Sequence, residues 1–266
     1  MNTQYANTVR KPDQKLKSVL SNVRISARLN CSALSDGVNY APDTNTGTII
    51  LNITCMARDT AEDAVRCVKS VLASPYAFSN RYALAPEGAL IGDFKVPARM
   101  KAIGTVCSLT LNGLLLNRGI QAKPKFGGVV EVKRGLPEKF SAFLSSGSLL
   151  LAPLDDFLNG AMTSVYKTLQ TGTGEVLGSF LEIPEADLAS AKCLYNKLKQ
   201  TGMGGAIMFG MPSEPFLGMP VSIGNAGMVV FRDINTVAAL TEQGIKTLSP
   251  TFKTLYPFED LQISKP

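Results

Sequence analysis

The feature that most constrains this chain is an order of motifs that occurs twice. From Gly47 an apolar strand, Thr48 to Ile53, leads to an amphipathic helix, Ala61 to Leu72, then a Pro86-Glu87-Gly88 turn and Leu90-Ile91-Gly92. About 127 positions later the same order restarts at Gly174, with Val176 to Leu181, a helix over Glu185 to Lys199, a turn at Pro212 to Glu214 and Phe216-Leu217-Gly218. Both copies close alike. Ile103 to Val106 runs through a short apolar helix to Gly119-Ile120, as Ala226 to Val230 runs to Gly244-Ile245, and Pro124-Lys125-Phe126 answers Pro250-Thr251-Phe252. Two small indels separate the copies. A half-size unit of this kind packs on its own copy, and the pseudo-twofold body that results has a cleft between like halves, a favoured place for a small ligand.

Composition narrows the chemistry. With 266 residues and 45% hydrophobic content the chain has ample material for a large core,. No apolar stretch approaches the ~20 residues of a membrane helix, and the polar first ten residues carry no export signal. A cytoplasmic protein with no membrane partner is expected. The five cysteines (Cys31, Cys55, Cys67, Cys107, Cys193) are an odd set with no Cys-x-x-Cys pair, so no disulfide framework is indicated,. Histidine is absent, which removes the usual general base near neutral pH and the commonest metal ligand,. No catalytic residue and no metal ligand is therefore assigned, and a non-enzyme is expected.

The expected fold class is α+β: two pseudo-symmetric halves from an internal duplication, with mixed β-sheets and helices packed on one face. The halves span about 47–126 and 174–252, inside an effector region of 47–266 that follows a basic leader, 1–46. That leader holds Arg10, Lys11, Lys15, Lys17, Arg24 and Arg28 against Asp13, Asp36 and Asp43, half of the net charge of +6. The linker, 127–173, reads as a hairpin of Val129 to Val132 with Phe140 to Leu144 around Arg134-Gly135, then a short helix near Leu154 to Leu158. A second hairpin is expected to join Thr163 to Leu169 with Glu175 to Leu181. Gly202-Met203-Gly204-Gly205 follows a helix, so it is a cap and turn and not a phosphate loop.

Three stretches have the makings of a site. In Gly104 to Thr110 a buried strand runs out through Cys107 and Ser108 into a helix start, whose N–H groups favour an anion. In Lys123 to Glu131, Pro124 stiffens the approach, Lys125 offers a point charge beside Phe126, and Gly127-Gly128 allows close backbone approach. In Gly160 to Val165, Thr163 and Ser164 supply hydroxyls at a helix-to-strand junction. Each residue also has a plainer role. Cys107 serves as a small buried hydrophobe, Lys125 as an exposed lysine, Gly127 and Gly128 as a tight turn, Thr163 and Ser164 as strand-start hydroxyls, and Arg118 as compensation for its helix dipole.

The run Gly104 to Gly128 (GTVCSLTLNGLLLNRGIQAKPKFGG), continuing through Val129-Val130-Glu131, resembles the effector domain of the NrpR nitrogen-regulation repressors. So do Gly160 to Val165, Glu182-Ile183-Pro184, Glu214 to Val221 and Ala238 to Ile245, and the resemblance runs from about Ser35 to Leu261. It implies a 2-oxoglutarate-responsive module that dimerises through its effector part. Family members usually join such domains to a DNA-binding winged helix. The leader here is too short and polar for one, so the chain is expected to be an effector domain without it, acting as a homodimer or as a heteromer with a DNA-binding regulator. A dicarboxylate ligand needs cationic or N–H donors at both ends and a neutral donor for its keto oxygen, which Lys125, the Gly127-Gly128 amides, Ser108, Thr163 and Ser164 supply.

Matching the copies sets Cys107-Ser108 against Phe231-Arg232, and Lys125-Phe126-Gly127-Gly128 against Thr251-Phe252-Lys253-Thr254. The apolar frame repeats while the polar chemistry does not, which predicts one principal site whose binding is abolished by Lys125→Ala. Two rival functions make distinct demands. A repressor that grips DNA with its basic leader binds with a steep salt dependence, and a cysteine-dependent enzyme needs Cys107 as a thiolate of depressed pKa.

Overall fold

A strand that is buried at nearly every position must lie inside, between two layers of structure, and this is the condition of Thr48–Ala57 (β1) in a computed structural model that describes residues 34–144, 162–205, 207–248 and 252–264,. Most of the leader and the helix expected near Leu154 to Leu158 lie outside the described residues. Along the chain follow Ala61–Leu72 (α1), Arg81–Ala85 (β2), Leu90–Ile91 (β3), Phe94–Lys95 (β4), Met100–Val106 (β5), Leu109–Leu116 (α2), Lys123–Lys133 (β6) and Leu136–Leu144 (β7). Then come Val165–Thr171 (α3), Gly174–Pro184 (β8), Leu188–Gln200 (α4), Ile207–Pro212 (β9), Asn225–Phe231 (β10), Asn235–Glu242 (α5), Thr247–Leu248 (β11), Lys253–Pro257 (β12) and Gln262–Ile263 (β13).

The α+β class holds. One sheet has the order β11-β1-β5-β2-β13, with β12 also on β1; the other has β7-β6-β8-β10-β9. Every pairing between described strands of these two sheets is antiparallel, so the sheets are less mixed than expected. The two halves share their register. Leu51 faces Val106 and Ala57 faces Met100 in the first, while Gly178 faces Phe231 and Pro184 faces Asn225 in the second. The last strand of each half leaves its own sheet and pairs with the first strand of the other. Gly128 faces Gly178 on β6 and β8, as Thr254 faces Leu51 on β12 and β1. This reciprocal exchange is the frame of the molecule.

Helices follow the same exchange. In one core α2 of the first half and α4 of the second pack with Leu51, Val106, Ile183 and Val230; in the other α1 packs with α5, Val130, Phe180 and Val229. Helix α1 forms because Ala61, Ala64, Val68, Val71 and Leu72 fall on one face, and all five are buried,. Each large aliphatic among them contributes about 1.5–3 kcal/mol by leaving water. Thr60 does not cap this helix; its hydroxyl donates instead to the Ala57 carbonyl, 3.3 Å away. In α2, Arg118 donates to the Leu114 carbonyl at 3.3 Å, the helix-end role expected of it.

The first linker hairpin forms as expected, with Arg134 and Gly135 at φ of 51° and 80° supplying the two left-handed residues of a tight turn,. The second does not form. Val165–Thr171 is a helix, not a strand, because the Glu242 carboxylate accepts from the Val165 and Tyr166 amides at its start, at 2.9 and 2.8 Å, and Gly172 ends it at φ 69°. A distant acid thus overrides the β preference of Val, Tyr and Thr. The folded body also begins ahead of Gly47, since Val38 and Tyr40 are buried in the first core.

Arg99 and Gly224 are equivalent positions of the two halves: each carbonyl accepts from the residue after the facing strand, Arg58 at 3.1 Å and Glu185 at 2.9 Å. Both sit at positive φ, 61° and 77°, but only one is glycine. A Cβ on Gly224 meets nothing within 4 Å, so any cost of adding one is conformational. We expect Gly224→Ala to destabilise the protein by about 1 kcal/mol and Arg99→Gly to leave it unchanged or slightly more stable, as read from denaturant midpoints.

Candidate functional site

Where β5 and β10 end, the chain closes each sheet with one more backbone bond, Cys107 N–H to the Ile50 carbonyl at 2.8 Å and Arg232 N–H to the Leu177 carbonyl at 3.0 Å. Cys107 and Arg232 are therefore equivalent, and so are the next residues, Ser108 and Asp233. The copies align one position away from the sequence matching, which had paired Cys107-Ser108 with Phe231-Arg232. Ser108 and Asp233 touch each other across the pseudo-twofold axis. Asp233 Oδ1 accepts from the Ser108 amide and hydroxyl, both at 3.1 Å, and Oδ2 accepts from the Asn52 amide. The anion expected at the start of α2 is the protein's own carboxylate, 4% exposed,.

Beside this contact lies a narrow cleft lined by Ser108, Asn112, Pro124, Ser179, Leu181 and Arg232, with about 30 Å³ of inner room, space for a water or two,. Arg232 donates to the Ser179 hydroxyl at 3.0 Å, yet its Nε is buried without a partner, as is Oδ1 of Asn52. A buried guanidinium N–H without an acceptor costs free energy, and a carboxylate is the group that satisfies it in a forked geometry. The opposite side of the axis lacks this chemistry, because Cys107 stands where Arg232 would be and Asn52 stands for Ser179.

The remaining expected site residues lie in two other places. Lys125 and Phe126 border a wider pocket of about 420 Å³ with Glu182, Met219 and Ser222. There the Lys125 ammonium is 3.1 Å from Glu182, whose side chain is only 2% exposed, and Ser222 donates to the same carboxylate through its amide at 3.0 Å and its hydroxyl at 3.1 Å. Burial pushes the Glu182 pKa up, but the Ser222 donors and Lys125 outweigh it and hold the carboxyl below its ordinary range. The charge of Lys125 is thus already matched. Phe126 stacks on Phe180 with centroids 5.2 Å apart. Gly127 and Gly128 belong to a strand paired on both sides, and a Cβ on Gly128 would fall 2.3 Å from the Ala142 carbonyl oxygen, so its role is close strand packing. Thr163 donates to Glu242 at 2.9 Å, and the Ser164 hydroxyl accepts from the Glu175 amide at 2.8 Å; both fix α3.

Cys107 is 1% exposed, and its thiol is pushed up to about 12, by burial first and by the Asp233 charge second, against partial opposition from Lys253, the Leu109 amide and Arg232. That is the reverse of an activated nucleophile. Burial likewise raises Cys55 and Cys67 to about 11. Asn52, Ser179 and Asp233 were not singled out by the sequence, and Arg232 and Glu182 entered only through the repeat matching and the family resemblance, not as site residues. A repeat alignment shifted by one residue would have set Arg232-Asp233 against Cys107-Ser108 and marked both.

Fold and cleft together define a two-half domain with one asymmetric polar cleft at its axis. The chain belongs to the NrpR family: the profile described as NrpR regulatory domains NRD1 and 2 matches residues 28–262. It is 29% identical over 223 residues to the global nitrogen regulator NrpRI of Methanosarcina mazei, covering 84% of this chain and 68% of that one. Against the global nitrogen regulator NrpR of Methanocaldococcus jannaschii it is 24% identical over 92% of its own length, but spans 41% of that protein. For the NrpR of Methanococcus maripaludis the values are 27% identity, 59% of this chain and 29% of the relative. A crystal structure of a nitrogen repressor-like protein from Methanococcus jannaschii shares the fold, with a TM-score of 0.73 at 21% identity over 90% of this chain and 98% of that one. No described helix is long and apolar enough to cross a membrane.

Two outcomes follow from the local chemistry. On treatment of the native protein with iodoacetamide near neutral pH, exposed Cys193 is alkylated while Cys55, Cys67 and Cys107 are protected until unfolding, as peptide mass spectrometry will report,. Glu182→Gln lowers stability at pH 7 by about 1–3 kcal/mol. Because the folded carboxyl lies below its unfolded value of 4.5, this contribution is complete above that pH and fades as pH falls through the folded value,. Urea midpoints of the two proteins therefore converge in acid.

Proposed function

We propose that this chain is the effector-sensing part of a nitrogen-responsive transcription regulator and that it binds 2-oxoglutarate, or a similar small carboxylate, in the cleft beside Ser108, without transforming it. The observation that carries the reading is Arg232, whose buried Nε has no acceptor in a cleft that also presents Ser108, Ser179 and Asn112. A guanidinium with hydroxyl and amide donors suits a carboxylate and an adjacent keto oxygen. Family membership supports the nitrogen-regulation context. For a metabolite present at high concentration a binding free energy of about −4 to −6 kcal/mol suffices. No catalytic base is needed.

The inner room of the cleft is smaller than a five-carbon diacid, so binding widens the cleft and changes the surface offered to a second copy or to a DNA-binding partner. Exposed Leu136, Met211 and Ile223 are apolar contacts available for such an assembly. A coupling of about 1–3 kcal/mol is enough to shift occupancy several-fold or more. A DNA grip by the basic leader depends on residues outside the described ones, and nothing at the cleft favours it.

Isothermal titration is expected to give one 2-oxoglutarate per chain, since the opposite side of the axis has Cys107 in place of Arg232. Arg232→Gln weakens binding at least tenfold, the loss of a charge-assisted hydrogen bond. Lys125→Ala, which the sequence alone singled out, changes binding less than about threefold, because Glu182 already neutralises that charge,. Absence of heat and of thermal shift at millimolar 2-oxoglutarate sinks the reading; equal binding by the Arg232 variant moves the site elsewhere.

A further inference from the structure

The contact at the axis is between unlike residues at like positions. In a body built of two equivalent halves, residues beside the axis meet their own counterparts, so a strictly repeated sequence would place serine against serine or aspartate against aspartate. Here one is a double donor and the other an acceptor. Asp233 of the second half takes both donors of Ser108 and the Asn52 amide of the first, three hydrogen bonds that tie the halves together. Around this contact two polar atoms are left over, Nε of Arg232 and Oδ1 of Asn52, both buried and without partners. Asp233 accepts three hydrogen bonds, while Arg232 and Asn52 each keep one buried polar atom without a partner.

Resting on the assignment of the cleft as a carboxylate site, we propose that Asp233 is a built-in competitor. It occupies the position of one ligand carboxylate, and the ligand enters by taking Ser108 from it. Of the donors that line the cleft with Arg232, those of Ser108 are both held by Asp233, and an incoming diacid would use them at its second end while the Asp233 charge repels it. Both anions cannot be satisfied at once. Binding therefore breaks the two hydrogen bonds from Ser108 to Asp233 across the axis, and the halves, joined elsewhere by exchanged strands, rotate on that frame. A neutral ligand gains nothing from the exchange, so the same carboxylate filters for anions strong enough to replace it. The free energy spent in releasing Asp233 lowers the apparent affinity and is the source of the coupling between occupancy and shape.

The test uses the full chain with Asp233→Asn, which keeps the side-chain shape and removes the charge, and with Asp233→Ser as a second variant should the first fail to fold. Binding of 2-oxoglutarate is measured by titration calorimetry, and exchange of the Ser108 to Thr110 amides by hydrogen–deuterium mass spectrometry. The expected result is affinity at least tenfold tighter than wild type in either variant. Exchange at the start of α2 should rise in the unliganded variants, and should rise in wild type only on adding 2-oxoglutarate. If wild type binds, Arg232→Gln loses binding, and the Asp233 variants bind no tighter than wild type, the competitor is overturned while the site stands. If wild type does not bind at millimolar concentration, the site and the competitor fall together. If the ligand leaves the exchange of the Ser108 to Thr110 amides in wild type unchanged while it binds, Asp233 is not displaced and the proposal fails.

Discussion

The molecule depends on the exchange of closing strands between its halves. Strand β6 completes the sheet of the second half and β12 that of the first, with matching registers on β8 and β1. Neither half has a complete sheet of its own, and each core is filled by a helix from both halves. Backbone hydrogen bonds left open at an inner strand such as β1 are costly to bury, so the halves are obliged to stay together. The exchange also fixes where the axis runs, and hence that Ser108 and Asp233 meet.

An exchanged frame of this kind separates what holds the protein together from what is free to change. The apolar positions repeat because both sheets need the same packing. Ser108 and Asp233, just past β5 and β10, are released from that demand because they meet each other where the halves join. There Cys107-Ser108 stands at the positions that Arg232-Asp233 takes in the other half. The same architecture that makes two equivalent sites geometrically available gives only one of them a guanidinium. The pocket near Lys125 shows the opposite case, in which a cation and a buried carboxylate answer each other and leave no charge for a ligand.

Much of the frame was legible in the sequence. The repeat, helix α1 with its apolar face, and the Arg134-Gly135 hairpin are set by local periodicity and turn chemistry, which neighbours in sequence determine. The segment Val165–Thr171 was not legible, because its helix is fixed by Glu242, more than seventy residues away in the chain. The proposed site was half legible. Ser108 and the anion-attracting start of α2 were visible, whereas the identity of the anion, Asp233, and the part played by Arg232 depended on which residues the axis brings together. A one-residue error in matching the copies set Arg232 against Ser108 and left Asp233 out of view, and the glycines and hydroxyls that looked like ligand contacts are committed to strand packing and helix ends.

The pairing of β1 with β12 joins residues about two hundred positions apart, the first strand of the body with nearly the last. During synthesis β1 therefore waits, with one edge open, until about two hundred further residues have left the ribosome. Contacts of such long separation are slow to form, and an apolar strand with a bare edge invites pairing with other chains in the interval. Products that stop short of β12 will display that bare edge permanently,.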